Sequence, residues 1–155
     1  MRLLIAGIII FFTSFYFYLI WPRLSHKQQI RPFLHTMFAH RGYHCIEKGI
    51  PENSLSSFRA AISHGYGIEL DVHLTKDGEV VVIHDETLNR TSDGQGKVRD
   101  YTLEELKKFS FHNHIEKYKG VQIPTLKEVL DLVENSSMKV NIELKTGIYW
   151  YEGIE

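Results

Sequence analysis

An α/β fold preceded by one transmembrane helix is the architecture this sequence predicts, and three observations carry the α/β part. Residues 68–74 alternate Glu69, Asp71 and His73 with Leu70, Val72 and Leu74, the period of a strand with two unlike faces. Val80-Val81-Val82-Ile83 is a β-branched run, as expected of a strand covered on both sides. Between residues 36 and 72 a strand, an amphipathic helix and a second strand follow one another, a βα unit leading into a parallel strand.

In chain order, Leu3 to Ile20 carries no charge and ends at Trp21-Pro22, which puts it at the short end of a membrane span. Tyr16 to Ile20 offers no small-residue cleavage site, so an uncleaved anchor over residues 1–21 is expected rather than a signal peptide. Tyr16, Tyr18 and Trp21 fit an interfacial aromatic belt. Arg23, Lys27 and Arg31 after the span, against Arg2 before it, place the remainder in the cytoplasm. The expected arrangement is therefore a single-pass membrane protein, with a basic juxtamembrane linker over 22–36 and a catalytic domain over 37–155.

Thr36 to Ala39 reads as the first strand, ending in His40-Arg41-Gly42. Pro51 to Ser54 opens a helix with Asn53 or Ser54 as its N-cap; Leu55, Phe58, Ala61 and Ile62 form the apolar face, and Gly65 and Gly67 close it. Lys76-Asp77-Gly78 is a turn signal, and the step from Asp71 to Val80 is too short for a crossover helix. Parallel strands on either side of it would require residues 73–79 to return in extended form. Residues 86–123 are rich in turn formers and read as an insertion over a strand end. It holds one short helix, marked by the Thr102/Glu105 capping box. A second box, Thr125 and Glu128, starts a helix over 126–134 with Leu126, Val129, Leu130 and Val133 inward. Residues 138–145 form another strand, with Val140, Ile142 and Leu144 on one face and Asn141, Glu143 and Lys145 on the other.

Composition excludes some function classes. A net charge of −1 gives no electrostatic case for nucleic acid. A single cysteine, Cys45, excludes an internal disulfide framework and a cysteine-based zinc site.

The strand ends concentrate chemistry that a core does not need. Glu69, Asp71 and Glu143 would converge on one side of the sheet as a hard-oxygen site suited to Ca²⁺ or Mg²⁺. His40 and His84 end two different strands and suit a general base and a general acid. Arg41 and Lys145 bring positive charge to the same rim, able to hydrogen-bond phosphate. A metal, two histidines and two cations suit a phosphodiester.

Together, His40-Arg41-Gly42, Glu52-Asn53-Ser54, Glu69-Leu70-Asp71-Val72, Thr75-Lys76-Asp77-Gly78, His84-Asp85 and Asn141-Ile142-Glu143-Leu144-Lys145 resemble the glycerophosphodiester phosphodiesterases. The match runs from residue 38 to 147. The resemblance implies a TIM-type (β/α)₈ barrel with a small insertion after the strand ending in His84, which residues 86–123 fit. It implies one divalent cation, Ca²⁺ or Mg²⁺, on Glu69, Asp71 and Glu143. It also implies catalysis by His40 and His84, and cleavage of glycerophosphodiesters to glycerol 3-phosphate and an alcohol. In the mechanism carried over, His40 deprotonates the attacking hydroxyl and His84 protonates the departing alkoxide.

A closed barrel needs about eight strands and roughly 200 residues or more. The chain is therefore expected to hold the N-terminal, catalytic half of that barrel, truncated and inactive by itself. Two alternatives remain: a non-catalytic membrane-anchored domain, or a lysophospholipase D-like or phospholipase-like enzyme acting on lysolipids at the bilayer. Arg41 has a second reading as a structural ion-pair partner. Glu52 and Asn53 read as cap and turn residues, with Glu52 able to touch Arg41 or the metal. His73 reads as structural, and His112 and His114 as surface-loop residues.

Overall fold

The computed structural model describes residues 2–21, 30–111 and 120–145. The chain divides into two units, Met1–Leu34 and His35–Glu155. The first contains helix α1, Arg2–Ile20, and a single helical turn over Arg31–Phe33.

The expected membrane anchor is overturned: among the described residues no helix is long and apolar enough to cross a membrane. Helix α1 has 19 residues and begins on Arg2. At 1.5 Å per residue it rises about 28 Å, at the short end for a hydrocarbon core of roughly 30 Å. The single-pass membrane localisation and the cytoplasmic placement, both drawn from that span, fall with it. Of the basic linker expected over 22–36, residues 22–29 lie outside the described residues, as do His112 and His114.

The second unit is built around strand β2, Gly67–Leu74. Strand β1, Phe38–Ala39, pairs with its start in parallel, Ala39 opposite Ile68. Helix α2, Leu55–Ser63, makes the crossover between them. Strand β4, Val140–Leu144, pairs with β2 in parallel from Ile68↔Val140 to Val72↔Leu144. Strand β3, Val80–Val82, is antiparallel to β2, with Val72 opposite Val82. Ile68 and Val72 each pair with β4 and with one other strand, so β1 and β3 share one edge of β2 and β4 takes the other.

The hairpin settles what the short connection left open. Thr75 N–H donates to the Glu79 carbonyl at 2.9 Å and Gly78 N–H to the Thr75 carbonyl at 3.1 Å. Gly78 adopts φ +85°, a conformation that favours glycine. A tight reversal closes a ladder at once, whereas an extended return would leave backbone groups of residues 73–79 unpaired.

Two apolar clusters sandwich this framework. Phe58, Ala61, Ile68, Leu70, Val72, Val82, Val129 and Val133 pack between the sheet, α2 and helix α4, Leu126–Val133. Val81, Ile83, Leu88, Val98, Leu106, Phe111 and Ile123 form the second cluster. That cluster roots the insertion, including its short helix α3, Leu103–Leu106, on the opposite face of β3. The β-branched run is thus buried on both faces, as its composition predicts. Both predicted capping boxes form, Thr102 with Glu105 and Thr125 with Glu128, and Ser54 rather than Asn53 caps α2.

Candidate active site

Strand register brings the acids together. Asp71 pairs directly with Glu143 across β2 and β4, and Glu69 lies one pleat earlier on the same face of β2. One oxygen from each of Glu69, Asp71 and Glu143 lies within 4.8 Å of the others. Asp71 is fully buried and Glu69 nearly so, while Glu143 is half exposed.

The surrounding groups hold these charges. Arg41 N–H donates to Glu69 Oε2 at 2.9 Å, and Asn53 Nδ2 donates to Asp71 Oδ2 at 3.0 Å. Lys145 Nζ lies 3.0 Å from Asp71 Oδ1 and also contacts the Glu143 carboxylate. Burial alone would raise the pKa of Asp71, but the Asn53 hydrogen bond and the Lys145 ammonium outweigh it and hold the carboxyl below its ordinary range. Burial pulls the Lys145 ammonium down, and Glu143 and Asp71 more than reverse that, so its pKa is raised.

The donor set fits a hard divalent cation. It is all oxygen and carries three carboxylates within reach of one ion. Asp71 Oδ1 is buried and accepts no well-formed hydrogen bond despite the nearby ammonium. Such an atom is costly to leave unpaired unless a cation or water joins it.

The loop after β1 is locally constrained. Arg41 (φ +56°), Gly42 (φ +81°) and Asn53 (φ +49°) all take left-handed backbone. A Cβ on Gly42 would lie 2.3 Å from Ser57 Oγ, so only glycine passes there. Asn53 N–H donates to the Arg41 carbonyl at 2.9 Å, and Ser57 Oγ donates to the same carbonyl at 3.2 Å. The Arg41 guanidinium turns back toward acids: Nη1 is 3.3 Å from Glu52 Oε1 and Nε is 3.6 Å from Asp71 Oδ2. These are the ion-pair contacts of Arg41's structural reading. His40 at the strand end is exposed, and among the described residues no hydrogen bond or ion pair holds its imidazole.

The β3 end is more elaborately held. Asp85 Oδ1 lies 2.8 Å from His84 Nδ1. Arg90 reaches both oxygens of Asp85 and also Glu52. The Arg90 hydrogen bond is the main reason the Asp85 carboxyl falls to about 2, against a smaller opposing effect of burial. His73 is buried beside Asp71, and its Nε2–H donates to the His84 carbonyl at 3.1 Å. Burial, the largest influence, pushes its pKa down.

The sequence reading undervalued three residues. Asn53 is a fully buried partner of Asp71 as well as a turn residue. Asp85 and Arg90 buttress His84. Asp85 was visible beside His84 in the chain; nothing local pointed to Arg90.

The pattern describing the glycerophosphoryl diester phosphodiesterase family matches residues 40–154. The chain belongs to that family. It is 51% identical over 121 residues to a glycerophosphodiester phosphodiesterase of Caldanaerobacter subterraneus, covering 77% of this chain and 49% of the relative. It is 52% identical over 122 residues to one from Bacillus altitudinis, with the same coverage. Among solved structures, an Oleispira antarctica phosphodiesterase in complex with the product sn-glycerol-3-phosphate superposes with a TM-score of 0.64 at 37% identity. That match covers 73% of this chain and 45% of that one. A Thermotoga maritima glycerophosphodiester phosphodiesterase matches at 44% identity with a TM-score of 0.55, covering 72% and 45%. The chain spans about half the length of the curated relatives it matches. The fold is therefore the α/β type of this phosphodiesterase family, with part of the relatives' length represented.

Proposed function

We propose that this chain carries the metal-binding and acid–base groups for hydrolysis of glycerophosphodiesters to glycerol 3-phosphate and an alcohol. The observation that carries this reading is the convergence of Glu69, Asp71 and Glu143, in a family with a relative that holds glycerol 3-phosphate as product. Residues 37–155 form the contributing domain, with 86–123 as its insertion. Glu69, Asp71 and Glu143 are the ligands of one Ca²⁺ or Mg²⁺. Such an ion, when bound, offsets charge on a phosphoryl oxygen.

His40, unencumbered at the rim, takes the proton from the attacking hydroxyl. His84 is held at Nδ1 by Asp85, which leaves Nε2 to deliver a proton to the departing alkoxide. Lys145 and Arg41 add positive charge beside the phosphate, and both also steady the carboxylates.

The test is release of glycerol 3-phosphate from glycerophosphocholine with Ca²⁺ or Mg²⁺ present. In a chain extended to the length of its relatives, His40→Ala and His84→Ala should each lower turnover by roughly 10²–10⁴-fold. A nitrophenyl leaving group needs little protonation, so it should partly rescue His84→Ala and not His40→Ala. Hydrolysis that survives chelation, or equal defects on good and poor leaving groups, rejects this assignment.

A further inference from the structure

The insertion contributes one side chain that no assignment of the site includes. Arg90 lies five residues past Asp85, and its guanidinium makes a fork on that carboxylate: Nε to Oδ2 at 2.6 Å and Nη2 to Oδ1 at 3.0 Å. The same Nη2 donates to Glu52 Oε1 at 2.7 Å. That Glu52 oxygen also receives Arg41 Nη1 at 3.3 Å. One planar group therefore ties the loop after β3 to the loop after β1. Its backbone is firmly based. Leu88 is fully buried and its N–H donates to the Gly96 carbonyl at 2.9 Å, while Ser92 N–H donates to the Leu88 carbonyl at 2.9 Å. Thr91, next to Arg90, is also buried.

We propose that Arg90 is a positioning residue: by gripping Asp85 and Glu52 together it fixes the Asp85 carboxylate that orients the His84 imidazole. Asp85 has two oxygens and a free χ2 rotation. With Arg90 on both oxygens, only one orientation remains, and in it Oδ1 faces His84 Nδ1 at 2.8 Å. In the neutral ring this puts the proton on Nδ1 and the lone pair on Nε2, so the imidazolium formed when Nε2 takes up a proton can deliver that proton from Nε2 while Nδ1–H stays on Asp85. A lysine cannot substitute, because a point charge lacks the fork that sets the carboxylate plane. The proposal rests on the reading of His84 as a proton donor only for its consequence; the geometry it asserts is independent of substrate and metal.

The measurement is the tautomer of the neutral His84 ring in the 155-residue chain, read from the ¹⁵N shifts of its two ring nitrogens by NMR without metal or substrate. The wild-type chain should show the Nδ1–H form as dominant. In Arg90→Gln and Arg90→Lys the Nε2–H form should become a major species, and Glu52→Gln should produce a smaller shift the same way. Unfolding midpoints of each variant are measured alongside. A His84 ring that stays Nδ1–H in folded Arg90→Gln, or in folded Arg90→Lys should the glutamine variant not fold, overturns the proposal. So does full recovery of the wild-type tautomer by Arg90→Lys, since charge alone would then suffice. A lowered midpoint with an unchanged tautomer means a structural role only and also overturns it. Because no turnover is read, failure here leaves the hydrolase reading standing, and absence of hydrolysis leaves this result intact.

Discussion

The two edges of β2 are built to different ends. On the β1/β3 edge, β3 is clasped between two apolar clusters, a tight turn closes the hairpin, and His84 sits in a chain of hydrogen bonds through Asp85, Arg90 and Glu52. On the β4 edge, Ile142 and Leu144 are exposed at 36% and 46%; the Lys145 ammonium contacts Asp71 and Glu143, and Arg41 reaches Asp71 and, through its backbone N–H, Glu69. Cohesion is concentrated on the first edge and unbalanced charge on the second. If the proposed function holds, a site that takes up a cation and an anionic substrate would have to displace any internal partner that closed its charges beforehand.

Perturbing apolar groups on both edges gives the largest contrast. Ile83, directly after β3, is fully buried in the second cluster, and Ile83→Ala should cost about 2–5 kcal/mol. Ile142→Ala on the open strand should cost under about 1 kcal/mol, since little of its contact is lost. Urea unfolding of both variants checks this, and equal losses would erase the distinction between the edges.

Next in size, Asp71→Asn should weaken Ca²⁺ or Mg²⁺ binding at least about tenfold, some 1.4 kcal/mol, because the buried ligand loses its charge. Thr125→Ala, which removes the cap of α4 on the cohesive side, should cost about 1 kcal/mol in stability and leave cation affinity unchanged. Calorimetric titration and thermal melts separate the two effects. Loss of cation affinity in the cap variant would show that the edges are not separable.

A further effect is in acid. The Asp85 carboxyl is lowered from its ordinary 3.8 to about 2, first by Arg90 and then by His84. Its folded value lies below its unfolded one, so the stability it contributes is complete above about pH 4 and drains away as the pH falls toward 2. Asp85→Asn should therefore flatten the loss of stability in that window and change little of the slope above it. An acid-unfolding curve with the same slope in the variant would detach Asp85 from the clasped edge.

Local pattern determined much of this protein. Period-two alternation placed Glu69, Asp71 and His73 on one face, and the β-branched run marked a strand covered on both sides. The Thr102/Glu105 and Thr125/Glu128 pairs fixed two helix starts. These depend on neighbours within a few residues, where side-chain spacing dictates geometry. The membrane reading failed at the same range, since a run of uncharged residues does not by itself supply a span of sufficient length and apolarity. The turning of Arg41 toward acids and the burial of Asn53 on Asp71 were decided by tertiary structure. So was the reach of Arg90 across 38 residues of sequence to Glu52. Each of these joins groups that no periodicity relates, and each forms because packing brings a buried or half-buried charge within hydrogen-bond distance of a partner that water can no longer replace.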